Sequence, residues 1–302
     1  MFQWTKKGGA GKACAWFSEG VDRAIFVEVD AGRLHVLAAS ADSTPREIAK
    51  RWGPCRGLPV LGPSAYSFGL LPPPEAPGLD LVALKSALRW AFSSTNEGAD
   101  LDMLTADVEI LEALGVDRGG ILLKDGYWVF AIERAKLTNA LLPAVSFGLR
   151  IDTVDTLATA QRNLGWAELR GGDPTPGAYA TLVIGKNYSS LGLVSAQGDL
   201  IFHKQMEWTE DSLRAPETFD RLVVDLQRNL NYVERRQTAL GVLGGCVFGV
   251  GAGALSSALT VAMGSFDWKA ASYPGVSFAP GAMDTEVDGD EALLIGSLWR
   301  WG

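Results

Sequence analysis

The chain has 302 residues, enough for one large domain or two medium lobes. Hydrophobic residues make up 47% and charged residues 21%, the balance of a globular protein with a sizeable core. With 27 basic and 35 acidic residues the net charge is −8, and no basic cluster offsets it, so a nucleic-acid partner is not expected.

Cys14, Cys55 and Cys246 are odd in number and far apart, which supports neither a disulfide framework nor a zinc cluster and fits a reducing compartment. The opening stretch, Met1 to Phe17, has no apolar run long enough for a signal peptide. Residues 1–24 read as an N-terminal tail, with Lys6, Lys7 and Lys12 giving it a mild positive tip. Gly8 to Ala13, GGAGKA, imitates a phosphate-binding loop. The GxxxxGK[ST] pattern, however, needs Gly where Lys6 stands and Ser or Thr where Ala13 stands.

FVEVDAGRLHVLAAS, Phe26 to Ser40, has two apolar runs around a small polar turn and predicts a hairpin. Thr44, Pro45 and Glu47 form the start signal of a helix over Ala41 to Trp52. Val60 to Leu71 reads as extended and is ended by Pro72, Pro73, Pro74 and Pro77. Asp80 is placed to cap a helix over Leu81 to Ser93, striped by Leu81, Leu84, Leu88 and Phe92. Strands near Leu104 to Leu111 and Gly126 to Ile132 complete a small α+β module at about residues 60–133.

Arg134 to Phe147 is expected as a helix burying Leu137, Leu141 and Val145, stopped by Gly148. Asp152 opens another through Leu164, with Val154, Leu157, Ala158 and Leu164 on one side. The run Gly171 to Gly177 then separates two halves of similar type, 25–170 and 178–302.

The second half opens with TLVIGKNYSSLGLVS, Thr181 to Ser195, a second hairpin continued by Asp199 to Trp208. The strongest helix pattern follows over Pro216 to Arg236, where Phe219, Leu222, Val223, Leu226, Leu230 and Val233 form the stripe. Thr238 to Phe266 carries no charge and sits near the threshold for a membrane span. Its clustered glycines divide it into a strand over Leu240 to Val247, a loop, and a helix over Ala254 to Met263. That division predicts a soluble segment; the alternative is a span over Leu240 to Met263. The chain closes with a helix over Glu291 to Trp301 that turns Leu294 and Leu298 inward.

Few residues suggest metal or hydrolytic chemistry. The two histidines, His35 and His203, show no zinc-ligand spacing, and no Gly-x-Ser-x-Gly elbow appears. Trp90, Trp128, Trp166 and Trp208 fall in predicted core elements. Trp4, Trp16, Trp299 and Trp301, near the termini, become an interaction surface where exposed.

Several of these segments carry a resemblance. LDLVALKSALRWAF (Leu79 to Phe92), IDTVDTLATAQRNL (Ile151 to Leu164) and LVVDLQRNLNYVERR (Leu222 to Arg236) are similar, in order and spacing, to helices of bacterial pilus-assembly proteins with an actin-like fold. The two hairpins and the Leu243-Gly244-Gly245 turn fit the same pattern. The chain resembles the branch of the MSHA pilus biogenesis protein MshI and the type IV pilus assembly protein PilM, with the cytoplasmic part of the type II secretion L protein further off.

That resemblance implies a bilobal α/β fold, two duplicated ribonuclease-H-like (ASKHA) halves with the small inserted module. It implies a cytoplasmic adaptor, peripheral at the inner membrane, that binds the short N-terminal tail of a bitopic membrane protein and helps connect the motor ATPase. In actin-like ATPases two facing hairpins hold a nucleotide's phosphates, using a carboxylate for a metal-bound water and a glycine for close backbone approach. Carried onto this chain, the cleft consists of Glu28, Asp30, Gly185, Lys186, Asn187, Gly244 and Gly245. Glu28 stands where the recipe has Asp, Asp30 where it has Gly, and Val183 replaces the second acid. ATP with magnesium is the cofactor the resemblance allows, and these departures predict a degenerate site with no turnover. The alternative is an ATP-dependent phosphotransferase of the same superfamily.

Overall fold

The computed structural model describes residues 11–17, 23–30, 33–40, 50, 55–62, 65–72, 83–84, 86–89, 91, 108–115, 127–146, 149–151, 153–170, 177–236, 241–264, 266–283 and 286–299. The expected helix over 41–52 lies outside them except for Lys50, which is helical.

The first half begins with β1 (Gly11–Phe17), β2 (Ala24–Asp30) and β3 (Arg33–Ser40), followed by β4 (Arg56–Leu61). β1 runs antiparallel to β2 and parallel to β4. The residues expected as an N-terminal tail therefore contain an inner strand of a sheet. Ala13, Ala15 and Phe17 point to one face and Cys14 and Trp16 to the other, all buried, as a doubly covered strand requires.

The extended stretch expected over Val60 to Leu71 is two strands, because Gly62 and Ala65 form a turn after β4 and release the chain into β5 (Ser67–Leu71). β5, β6 (Val108–Gly115) and β7 (Tyr127–Glu133) make a separate sheet of order β5-β7-β6. Residues 83–84, 86–89 and 91 are helical, and Leu88 is buried against Leu71, Val129 and Ala131.

From β7 the chain runs directly into α1 (Arg134–Ser146). Short strands β8 (Arg150–Ile151) and β9 (Asp155–Thr156) both pair with β4, and α2 (Leu157–Arg170) follows. α2 begins at Leu157, later than Asp152 suggested, because residues 155–156 are held as a strand. The Thr156 hydroxyl accepts from the Thr159 N–H at 3.3 Å and caps the first turn.

β10 (Ala178–Ile184), β11 (Ser189–Ser195) and β12 (Leu200–Met206) form an antiparallel meander. After α3 (Pro216–Arg236) come β13 (Val242–Phe248), α4 (Ala252–Met263) and β14 (Trp268–Ala270). This sheet has the order β12-β11-β10-β13-β14. α3 buries Leu222, Leu226, Leu230 and Val233, four members of the predicted stripe, against Leu182, Ile184, Leu191 and Leu193. The uncharged stretch is a strand and a 12-residue helix, and no helix of the described residues is long and apolar enough to cross a membrane.

The last elements return to the first half. β15 (Val276–Phe278) pairs in parallel with β3, giving the order β15-β3-β2-β1-β4-β8. α5 (Gly289–Leu298) is buried throughout except for the half-buried Glu291. It shares one core with α2, with Ile25, Val27, Leu34 and Leu58 of the first sheet, and with Val183, Cys246 and Phe248 of the second. The second half is thus not self-contained, since it supplies a strand and a central helix to the first. A Cβ on Gly296 would collide with the Ala160 carbonyl oxygen, so the α2–α5 crossing has no room for a side chain there.

Candidate functional site

The strand orders align β1, β2, β3 and β4 of the first sheet with β10, β11, β12 and β13 of the second. The hairpin equivalent to β10–β11 is therefore β1–β2, whose turn, 18–22, lies outside the described residues. The hairpin read as the first copy, Phe26 to Ser40, is β2–β3, equivalent to β11–β12.

This moves two expected site residues. Glu28 and Asp30 are exposed on β2, paired across the strands with His35 and Arg33. Asp30 lies seven residues from Arg23, roughly 23 Å along an extended strand. Arg23, by contrast, ion-pairs with Asp288 at the start of α5, and Phe17 packs on Tyr188 with ring centroids 5.3 Å apart. The end of β1 and the start of β2 thus face the β10–β11 turn, while Glu28 and Asp30 do not.

Gly244 and Gly245, expected in an adenosine-binding turn, lie inside β13. A Cβ on Gly245 would come 2.6 Å from the Trp268 ring, and one on Gly244 2.9 Å from the Asp267 carbonyl oxygen. These glycines admit β14 alongside. The strand-to-helix turn comes later, at Gly249 to Gly251, where Gly249 has φ 137° and Gly251 φ 68°. The Gly251 N–H donates to Glu286 at 2.8 Å.

Gly185, Lys186 and Asn187 do form the β10–β11 turn. The Gly185 N–H donates to the Tyr188 carbonyl at 2.9 Å, and Lys186 and Asn187 are exposed. Around this turn sit Gly249, Gly289 and Asp290. A Cβ on Gly249 or Gly289 would collide with the Ile184 carbonyl oxygen, so three backbone segments meet here without side chains between them.

Asp290 is the residue the sequence reasoning missed. It is fully buried, and its carboxylate accepts from the Asn187 side-chain amide at 3.2 Å. The backbone N–H groups of Asn187 and Tyr188 also face it. Burial pushes its acidity towards the neutral form, while Asn187, Arg23 and the turn N–H groups favour the charged one. The available signal was DGDE, Asp288 to Glu291. Asp288 and Glu291 form a reciprocal capping box, which marks Asp290 as a first-turn acid of a buried helix.

Among the described residues, β1 and the end of β10 supply no acid for a magnesium nucleotide. The side chains that β1 and the end of β10 turn towards the central core are Ala13, Ala15, Phe17 and Val183, none of them an acid. No group of three potential metal ligands exists among the described residues.

Elsewhere, His35 shares a 2.8 Å hydrogen bond with Ser277, and His203 is buried beside Phe68. Trp16 is buried and Trp299 partly so, hence neither forms an exposed terminal surface. Cys14, Cys55 and Cys246 are free and buried.

Two sheets of one order, a helix pair between them and a small third sheet define an actin-like fold. Solved structures share it. The match to a chain of the PilM–PilN type IV pilus biogenesis complex has a TM-score of 0.67 at 16% identity, covering 97% of this chain and 99% of that one. The cytoplasmic domain of EpsL, an inner-membrane component of the type II secretion system of Vibrio cholerae, matches with a TM-score of 0.51 at 12% identity, covering 95% and 94%. No family model matches the sequence, and no curated protein does so in a sequence search.

Proposed function

We propose that this protein is a scaffold of a type IV pilus of the MSHA kind, or of a related secretion assembly. On this reading it is cytoplasmic and peripheral at the inner membrane, bound to the N-terminal tail of a bitopic membrane protein, with the motor ATPase as a further partner. The observation that carries the reading is the end-to-end likeness to the pilus-complex chain, together with a cleft that offers no acid from β1 or the end of β10. A phosphotransferase would need such an acid.

In this proposal the small sheet β5-β7-β6 receives the tail. Among the described residues β5 and β6 each pair only with β7, which leaves each an outer edge where an extended peptide could add a strand. A tail that is disordered when free loses entropy on binding, so an affinity of roughly micromolar is expected.

The test is titration of a peptide of about ten to fifteen residues from the tail of a bitopic pilus protein encoded beside this one. Saturable binding that is lost on deletion of the small sheet, with folding of the rest verified, supports the proposal. Absence of binding by any such tail, or measurable ATP turnover, overturns it.

A further inference from the structure

The β10–β11 turn has the makings of an anion site. Successive backbone N–H groups in a turn form a concavity of positive potential, and a helix N-terminus beside it deepens that potential. Here the turn N–H groups of Asn187 and Tyr188, the Asn187 amide, the first turn of α5 and Arg23 converge. What they converge on is a carboxylate of the chain itself. Asp290 has no exposed surface, and its Oδ1 is buried with no well-aligned hydrogen bond. Gly185 is a glycine because a Cβ there would collide with that same oxygen.

We infer that the Asp290 carboxylate is a built-in anion occupying the turn where an actin-like fold would otherwise take a phosphate. The inference rests on the scaffold reading above and extends it to the state of the cleft. A tethered carboxylate has a high effective concentration at the turn, so a free anion at millimolar level competes poorly. The close backbone approach of Gly249 and Gly289 to Ile184 leaves no room for a side chain between these three segments. Because Asp290 belongs to the helix between the two sheets, its bond to the turn ties the second sheet to that helix continuously, with no ligand required. Nucleotide-dependent opening and closing is thereby replaced by one fixed arrangement.

The test uses the full chain, with thermal melting as the readout and inorganic phosphate, acetate and ATP as probes. For the unaltered protein, none of the three at about 10 mM shifts Tm by more than general salt does. Asp290→Ala lowers Tm by roughly 4–10 °C, and phosphate or acetate at about 50 mM recovers a substantial part of that loss. Asp290→Asn, which keeps the shape, is not rescued, because its side chain still fills the space. Stabilisation of the unaltered protein by ATP or phosphate overturns the inference, as does an alanine variant that no anion rescues.

If the alanine variant does not fold, the asparagine variant carries the test through amide chemical shifts. Loss of the charge moves the Asn187 and Tyr188 N–H resonances, and unchanged resonances overturn the inference. Binding of the partner tail is measured on the same preparations. Failed rescue with intact tail binding removes the built-in anion alone. Failed tail binding with intact rescue removes the scaffold reading alone.

Discussion

The first sheet meets the central helices with Ile25, Val27, Leu34, Val36, Leu58 and Val60, an apolar face. The second meets them with Val183, Cys246 and Phe248, and beside these with polar and small groups. The Gln161 amide of α2 donates to the Thr181 carbonyl at 2.8 Å and to that of Ser190 at 3.1 Å. Gly165 lies against Thr181 and Val194. Area holds the first contact and direction holds the second. Apolar burial is non-directional, whereas paired hydrogen bonds to two neighbouring strands fix the helix in register. One strand order thus serves a bulk core on one side and a positioned contact on the other.

The most severe way to break this comparison is at the helix pair common to both sides. Gly296→Leu forces a side chain into the Ala160 backbone and should cost more than about 4 kcal/mol, read as loss of the cooperative urea transition. Next is the apolar side. Leu58→Ala should cost roughly 2–5 kcal/mol in the same melts, through lost burial and a residual cavity. Leu226→Ala, in the core under α3, should fall in that range too.

The third test is acid. His203 sits under the small sheet against Phe68, and burial lowers its pKa from 6.5 to about 4. The unfolded chain therefore binds more protons between those values. Stability is full above pH 6.5 and is lost as pH falls towards 4. From pH 7 to pH 4.5 the loss attributable to this ring should be about 2–3 kcal/mol. His203→Phe should remove that part of the slope, and an unchanged slope would place the sensitivity elsewhere.

On the positioned side, Gln161→Leu leaves two buried carbonyls without their donor and should cost about 1–3 kcal/mol. A loss equal to that of Leu58→Ala would erase the distinction between the two sides. Smallest of all, Arg228→Ala on the exposed face of α3 should cost less than about 1 kcal/mol.

Local pattern made much of this fold readable. The α3 stripe and the β10–β11 hairpin depend on neighbours in sequence, and both were expected where they occur. β1 was not readable, because two of its three inward residues are alanines and its parallel partner, β4, comes some forty residues later. With β1 read as tail, the hairpins were paired out of step, and Glu28 and Asp30 inherited a place that belongs to the turn before them. The glycines misled for a related reason. Gly244 and Gly245 look like a turn, yet they are small because Trp268 and the Asp267 backbone lie beside them. The residues around the β10–β11 turn come from three distant segments, Gly185 to Asn187, Gly249, and Gly289 with Asp290. Asp290 carries its meaning through a contact 103 positions away, which no local pattern encodes.

The pairing of β15 with β3 has a consequence for synthesis. The strand that completes the edge of the first sheet, β15, and the helix under that sheet are translated long after β3. At about 5–20 residues per second, β3 waits roughly 10–50 s for β15. During that interval β3 offers an unpaired edge beside an uncovered apolar face, a template for pairing with other nascent chains. Cells making this protein quickly should therefore depend on a holding chaperone more than its finished stability would suggest, and lowering the rate of initiation, which spaces nascent chains apart without lengthening the wait, should raise the soluble yield.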